Sequence, residues 1–477
     1  AVPYDTRIES FLRAEQPDLL LLTPLLYFGS QQVDYVRAAR ALGIRTALGV
    51  GSWDHLTTKG VIHERPDHVV VWNEAQRTEA FELHGIPPTQ VTVTGAQAYD
   101  HWFVQQPTLT REAFCAKVGV PADRPILLYL CSSPFITPHE VPFVRRWIEA
   151  IRRAPDPALR RATILIRPHP QNAEQWAAFD TAAYDAVGLW PRAGANPVDT
   201  EARADYYDSM FYSVAVVGVN TSALIESGIV GRQVYTVLVD EFAGQQEGTL
   251  HFQHLKNVNG GLLTTAASLD EHVTQLAEAV ARGGERDPKS RAFIESFVRP
   301  YGFDVPAADR FVAAIEAQAA APAPAPRRPS LLSRIVRRLL LPLALTTSAA
   351  AAARRRRGDR KAPAPTGRRS ILFVIASPEY LRFYDSTMRM LAERGHHVSI
   401  AVNWLRERKA ARLDGLSGDE GIDVLGLVPK RTDVWTPMAR AVRGTFDFVR
   451  YLHPRLAEAP ALRARMKRKV LPPWLHR

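Results

Sequence analysis

Cysteine is nearly missing from this chain. Cys115 and Cys131 are the only two in 477 residues, so no disulfide framework is available, and neither has a metal-type partner spacing. That usage fits a reducing, cytoplasmic compartment. Long apolar runs are also scarce. The longest, "LLLPLALTTSAAAAA" from Leu339 to Ala353, is shorter than the roughly 20 residues a membrane-spanning helix needs. No secretory signal opens the chain. No zinc-finger spacing and no aromatic-interleaved RNA motif accompanies its basic charge, so nucleic acid is not an expected partner.

What is present is an ordinary globular composition, 46% hydrophobic and 23% charged, long enough for two to four domains. The net charge of +11 lies largely in runs: Arg327 and Arg328, Arg334 to Arg338, and "RRRRGDRK" from Arg354. Such fields attract phosphorylated substrates and anionic lipid surfaces alike. The apolar run at Leu339, flanked by arginines on both sides, reads most simply as a partly helical linker. Its other reading is a segment lying along a membrane interface.

Apolar runs of strand length alternate with helical periodicity. "DLLLLT", "RTALGV", "HVVVWN" and "QVTVTG" predict strands before residue 105. Between them, "QVDYVRAARALG" and "EAQRTEAFELHG" predict helices stopped at Gly43 and Gly85. A second α/β unit follows, with strands in "PILLYLCS", "ATILIRPHP", "VAVVGVN" and "QVYTVLV" and a last helix in "ADRFVAAIEAQAA". Strands alternating with helices predict parallel sheets. Two Pro/Ala tracts bound the basic segment 319–369, which reads as a disordered linker. A new strand–loop–helix–strand unit, "SILFVIASPEYLRFYDSTMRMLAERGHHVSIAVN", then starts at Ser370.

Two stretches carry chemistry. In "ILIRPHPQN" a strand runs into Arg167, Pro168, His169 and Pro170, at the edge where a parallel sheet presents its ligand. Arg suits phosphate, and His suits an oxyanion or proton transfer. In "VAVVGVNTSALIES" a strand gives way to Asn220, Thr221 and Ser222 before a short helix carrying Glu226. Those residues can cap the helix or turn its N–H groups toward a phosphate. Elsewhere, "GVGSWDHLTTKG" holds Asp54 and His55, candidates for a general base or for a polar turn. His251 and His254 are three apart without a further ligand, which favours a lid or packing role over metal. Asp199 or Thr200 is the expected cap of the helix that follows, with Asn196 a weaker site candidate.

"RPHP" followed by strand, "NTSALIE", helix and "GRQVYT" resembles the donor half of glycosyltransferase-B-type enzymes, nearest to CDP-glycerol glycerophosphotransferase-like and capsular-polysaccharide transferases. "VVWNEAQRTEAFELHGIPPTQVTVTGAQAYD" is similar to the segment joining their acceptor and donor domains. The resemblance implies two Rossmann-like domains facing a cleft. Residues 1–105 would be the second half of the acceptor domain and 106–318 the donor domain. After the linker at 319–369, 370–477 would be the first half of an acceptor-type domain.

That order predicts either a circular permutant or an excerpt of a tandem pair, and in either case 370–477 should dock on 1–105, with Ile371–Ile375 on the Leu19–Leu22 side of the sheet. The missing initiator Met and the abrupt end favour the excerpt. By resemblance, Arg167 and His169 would contact the donor diphosphate, Asn220, Thr221 and Ser222 would bind phosphate, and Glu226 would hold the ribose. Asp54, His55 or Glu379 would serve as base, with Ser377 and Tyr380 beside Glu379 on the acceptor side. The implied activity moves a sugar or polyol phosphate from a nucleotide-activated donor to the hydroxyl of a polysaccharide or lipid-linked acceptor. It would do so in surface-polysaccharide synthesis at the inner face of the membrane, with no metal or other cofactor. The Asn-Thr pair leaves glycerol phosphate and sugar donors both open. A sugar-nucleotide epimerase and a catalytically silent binding protein are the alternatives.

Overall fold

The computed structural model describes residues 2–195, 197, 200–327, 329–347, 367–405, 413, 415–457 and 460–470. Asn196, Asp199, the arginine run from Arg354 and the Pro-Pro after the last helix lie outside the described residues. The chain divides into two compact units: Ala1–Ala98 with Arg299–Ala457 and Leu462–Arg477, and Tyr99–Val298 with Glu458–Ala461.

Among the described residues, thirteen strands form two parallel sheets. In chain order they are β1 (Leu19–Thr23), β2 (Arg45–Gly49), β3 (His68–Val71), β4 (Val91–Val93), β5 (Ile126–Leu130), β6 (Thr163–Arg167) and β7 (Val187–Leu189). These are followed by β8 (Ser213–Gly218), β9 (Gln233–Val237), β10 (Leu263–Ala266), β11 (Ser370–Ile375), β12 (His397–Val402) and β13 (Ile422–Leu427). The central strands "LLLLT" and "ILLYL" are buried along their whole length. Parallel sheets covered on both faces require such continuously apolar strands.

In the first unit the strand order is β13-β12-β11-β1-β2-β3-β4. β11 and β1, far apart in sequence, are neighbours at the centre, with Leu19 opposite Ile371 and Thr23 opposite Ile375. The late segment therefore completes the sheet begun by the early one. If β11 is counted as the first strand, the order out to β3 is 3-2-1-4-5-6, the doubly wound pattern. The second unit repeats it without permutation as β10-β9-β8-β5-β6-β7. Both units are thus Rossmann-like α/β layers. Gly43 and Gly85 stop their helices in the left-handed conformation, at φ of 73° and 65°.

Two expectations need correction. Helix Ala307–Ala320 was assigned to the donor domain but belongs to the first unit. Its Phe311, Val312 and Ile315 share a core with Leu19, Phe373 and Tyr384, and Glu316 and Asp309 meet Arg394 at 3.0 and 3.1 Å. The apolar stripe dictates burial without saying against which sheet. Nor is the described part of the linker disordered. Pro322 accepts from Arg45 Nη2 at 2.7 Å, Arg327 N–H donates to the Arg40 carbonyl at 3.0 Å, and Leu331–Thr347 is a helix.

Candidate functional site

In the second unit, β5 connects toward β6 on one side while β8 lies on its other side. The carboxyl ends of β5 and β8 therefore flank the topological switch point, where open α/β sheets bind ligands. The loops there are joined by polar contacts. The Asn220 N–H donates to Ser132 Oγ at 3.4 Å, and Asn172 Nδ2 donates to the Ser132 and Thr137 carbonyls at 3.1 and 2.9 Å. Beneath them Glu140 is fully buried. It accepts from Ser132 N–H at 3.0 Å and from the Tyr129 hydroxyl at 3.0 Å. Burial raises its carboxyl to about 8, against the lowering effect of these hydrogen bonds, so near neutrality it is mostly protonated.

Arg167 ends β6 and is 5% exposed. Its Nη1 donates to the Asp205 carbonyl at 3.2 Å, and its guanidinium lies 5.1 Å from the Tyr206 ring centre. Among the described residues it forms no ion pair with a carboxylate. Burial lowers its pKa to about 10, which still leaves it cationic. The nearby carboxylates are otherwise engaged. Asp205 pairs with Lys117 at 2.6 Å, and Glu226 accepts from the Tyr206 hydroxyl at 2.6 Å. A buried cation without a counter-ion is costly in isolation and well suited to receive an anion.

Two residues further on, past Pro168, the half-buried His169 uses Nδ1 to accept from the Gln171 N–H at 3.1 Å. A neutral ring in that arrangement carries its proton on Nε2, which makes that nitrogen a donor.

The other donor-side candidates differ in what they have free. Asn220 is 3% exposed and already committed. Its Nδ2 donates to the Gln245 carbonyl at 2.6 Å and lies 3.3 Å from His251 Nε2, tying the 246–261 segment to the switch point. Thr221 Oγ1 accepts weakly from Ala223 N–H at 3.4 Å, whereas Ser222 is exposed and makes no side-chain cap. The helix after them, Ala223–Ile229, is short. His254 packs its ring against Phe297 at 5.7 Å.

In the first unit the switch point lies between β11 and β1. There Gln32 Nε2 bridges the Thr23 carbonyl (3.0 Å), the Val374 carbonyl (2.9 Å) and Asn403 Oδ1 (2.9 Å). Asp54 accepts from Ser52 Oγ at 2.6 Å and Thr58 Oγ1 at 2.8 Å, with Lys59 Nζ at 3.4 Å. It therefore holds its own turn and is not hydrogen-bonded to His55. His55 is 4% exposed, and its ring lies 6.1 Å from that of Tyr380, beside Glu379. Its Nδ1 has no partner among the described residues. Burial lowers its pKa to about 3, opposed by the charge of Asp54. Asp54 and His55 share one loop, and it meets the Tyr380 loop at the same sheet edge.

Sequence reasoning missed Tyr206, Ser132, Glu140 and Asn172. Ser132 was visible as a hydroxyl just past a buried strand. Tyr206 sat in a helix read as structural, and only the fold brings it between Arg167 and Glu226. It also missed an ionic knot in the first unit. The buried Asp34 meets Arg431 at 2.9 Å and Arg443 at 2.6 Å, and the buried Asp447 accepts from the N–H groups of Gly29 (2.9 Å) and Val61 (2.8 Å).

No family model and no curated protein matches this chain. Among solved structures, the UDP-GlcNAc 2-epimerase from Methanocaldococcus jannaschii is 12% identical with a TM-score of 0.42, over 65% of this chain and 80% of that one. A glycosyltransferase from Rickettsia africae is 11% identical with a TM-score of 0.41, over 65% and 78%. The wall teichoic acid polymerase TagF is 12% identical with a TM-score of 0.34, over 53% and 58%. Likenesses this distant decide no reaction.

Proposed function

We propose that the chain transfers a sugar or polyol phosphate from a nucleotide-activated donor to a hydroxyl acceptor. The observation that carries this reading is Arg167. It is a buried guanidinium without a carboxylate partner among the described residues, at a strand end beside the switch point. In the proposal it binds the donor diphosphate. As the bond to the transferred group breaks, Arg167 and the His169 Nε2–H stabilise the charge left on the phosphate, the electrostatic role that usually dominates such steps. Thr221 and Ser222 add donors at the neighbouring loop. Glu226, steadied by Tyr206, accepts from a ribose hydroxyl. Because Asn220 is already committed, it positions that loop and does not bind the donor.

On the acceptor side the proton goes to Asp54 or Glu379. His55, held far below neutrality, is a weak base but can take a hydrogen bond at Nδ1 and so orient the hydroxyl.

A thermal-shift screen against UDP-, CDP- and GDP-linked donors tests the reading, since only a bound ligand raises the melting temperature. One donor class is expected to stabilise the wild type and to lose that effect in Arg167→Met. No stabilisation by any donor, or equal stabilisation of the variant, would sink the proposal. Nucleotide release that requires an added acceptor separates transfer from epimerisation, which needs none.

A further inference from the structure

We propose that the outward face of helix Leu331–Thr347 docks on an anionic lipid surface, independently of the donor chemistry above. Leu331, Ile335, Leu339 and Leu343 recur every fourth residue and so form one stripe. All four are exposed, Leu331 and Leu339 at 74% and 73%. The opposite face holds the fully buried Ala344 and carries the attachment to the unit. Water therefore meets a continuous row of leucine and isoleucine, which a soluble surface ordinarily avoids. Arg334 and Arg338 are exposed beside the stripe, and the helix contains no acidic residue. Helix Thr436–Arg450, against which it packs, repeats the pattern. Arg443 and Asp447 are buried inward, while Val442, Phe446 and Val449 are exposed.

Charge selects the occupant. Residues 319–369 hold thirteen basic residues and one acidic, a net of +12, against +11 for the whole chain. The remaining residues net −1, so a second copy offers no opposite field to meet this one. Nucleic acid would satisfy the arginines but would leave the leucine stripe in water. A surface that is both anionic and apolar a few ångströms down satisfies both. No helix among the described residues is long and apolar enough to cross a membrane, so the contact is interfacial.

Co-sedimentation of the full chain with vesicles tests this, using phosphatidylcholine alone or with one-third phosphatidylglycerol. Wild type is expected to bind the anionic vesicles and hardly the neutral ones. Ile335→Glu with Leu339→Glu is expected to weaken binding roughly tenfold or more, because it removes apolar insertion and adds repulsion. Arg334→Gln with Arg338→Gln is expected to weaken it several-fold. Thermal melting checks that the exposed substitutions leave the fold intact. If the glutamates perturb it, Leu331→Ser with Leu343→Ser gives the same reading. The proposal is overturned if wild type ignores anionic vesicles, or if the glutamate variant binds as wild type does. A wild-type dimer that the glutamates convert to monomer, with no vesicle binding, would assign the stripe to a second copy and also overturn it.

Discussion

Replacing Asp34 by alanine probes the joint between the early and late segments. The carboxylate is fully buried and takes hydrogen bonds from Arg431 Nη1 at 2.9 Å and Arg443 Nη2 at 2.6 Å. Both arginines come from the late segment. Arg431 would keep Asp433, 2.7 Å away, and the Pro3 carbonyl at 2.7 Å. Among the described residues, Arg443 would keep only the Ser30 carbonyl, at 2.9 Å. Its charge is 6% exposed and would stay buried with no counter-ion. Breaking a buried pair by removing one partner costs about 3–5 kcal/mol. Because one of the two arginines is partly compensated, the expected loss for Asp34→Ala lies near the lower end of that range.

Urea unfolding followed by amide exchange of the peptides covering β1 and β11 measures this. Both strands should lose protection together, because they are paired partners in one sheet. Adding Arg443→Met should recover much of the loss by removing the stranded cation. A loss below about 1 kcal/mol, the range of an exposed pair, would refute the reasoning. So would a loss confined to residues after 422 with β1 unchanged.

Other consequences follow from single contacts. Glu140 titrates near 8 in the folded chain and near 4.5 when unfolded. Between those values the folded state binds more protons, so stability falls as pH rises through that window. Glu140→Gln keeps an oxygen for Ser132 N–H, and it should flatten that dependence and melt above wild type at pH 9. A Cβ on Gly60 would come within 2.4 Å of Asp447 Oδ1. Gly60→Ala should therefore displace that carboxylate from Gly29 and Val61 and cost about 1–3 kcal/mol by chemical denaturation. Tyr206→Phe removes the hydroxyl that holds Glu226. It should raise the donor's Kd severalfold in calorimetry while changing the melting temperature little, because Arg167 keeps the aromatic face.

Much of this architecture was legible because parallel strands announce themselves. "LLLLT", "ILLYL" and "TILIR" are buried along their whole length, and "RPHP" falls at a strand end as its apolar run required. The strands that escaped notice are those lacking such runs. β7 is three residues long, β10 reads "LTTA", and β13 reads "IDVLGL" with its middle only half-buried. The helix at Leu331 was legible only in part, since Pro342 interrupts it. Arg431, Arg443 and Arg450 carry no mark of burial in the sequence, yet all three are buried. Arg443 and Arg450 lie inward on one helix, where Arg450 donates to the Gly60 carbonyl at 2.7 Å. Charge alone does not reveal which arginines will find carbonyls and carboxylates once a distant segment folds over them. Arg167 was found because strand position alone placed it. Tyr206, its partner, came from a helix with no such marker.

The central claim is that Arg167 receives the donor diphosphate. Its most direct test is turnover of whichever nucleotide-linked donor the wild type binds, measured as nucleotide release in the presence of a hydroxyl acceptor. Arg167→Met should lower kcat/KM by roughly a hundredfold or more, as loss of a transition-state donor does, with amide-exchange protection of β5 and β6 unchanged. Turnover equal to wild type in that variant would contradict the account.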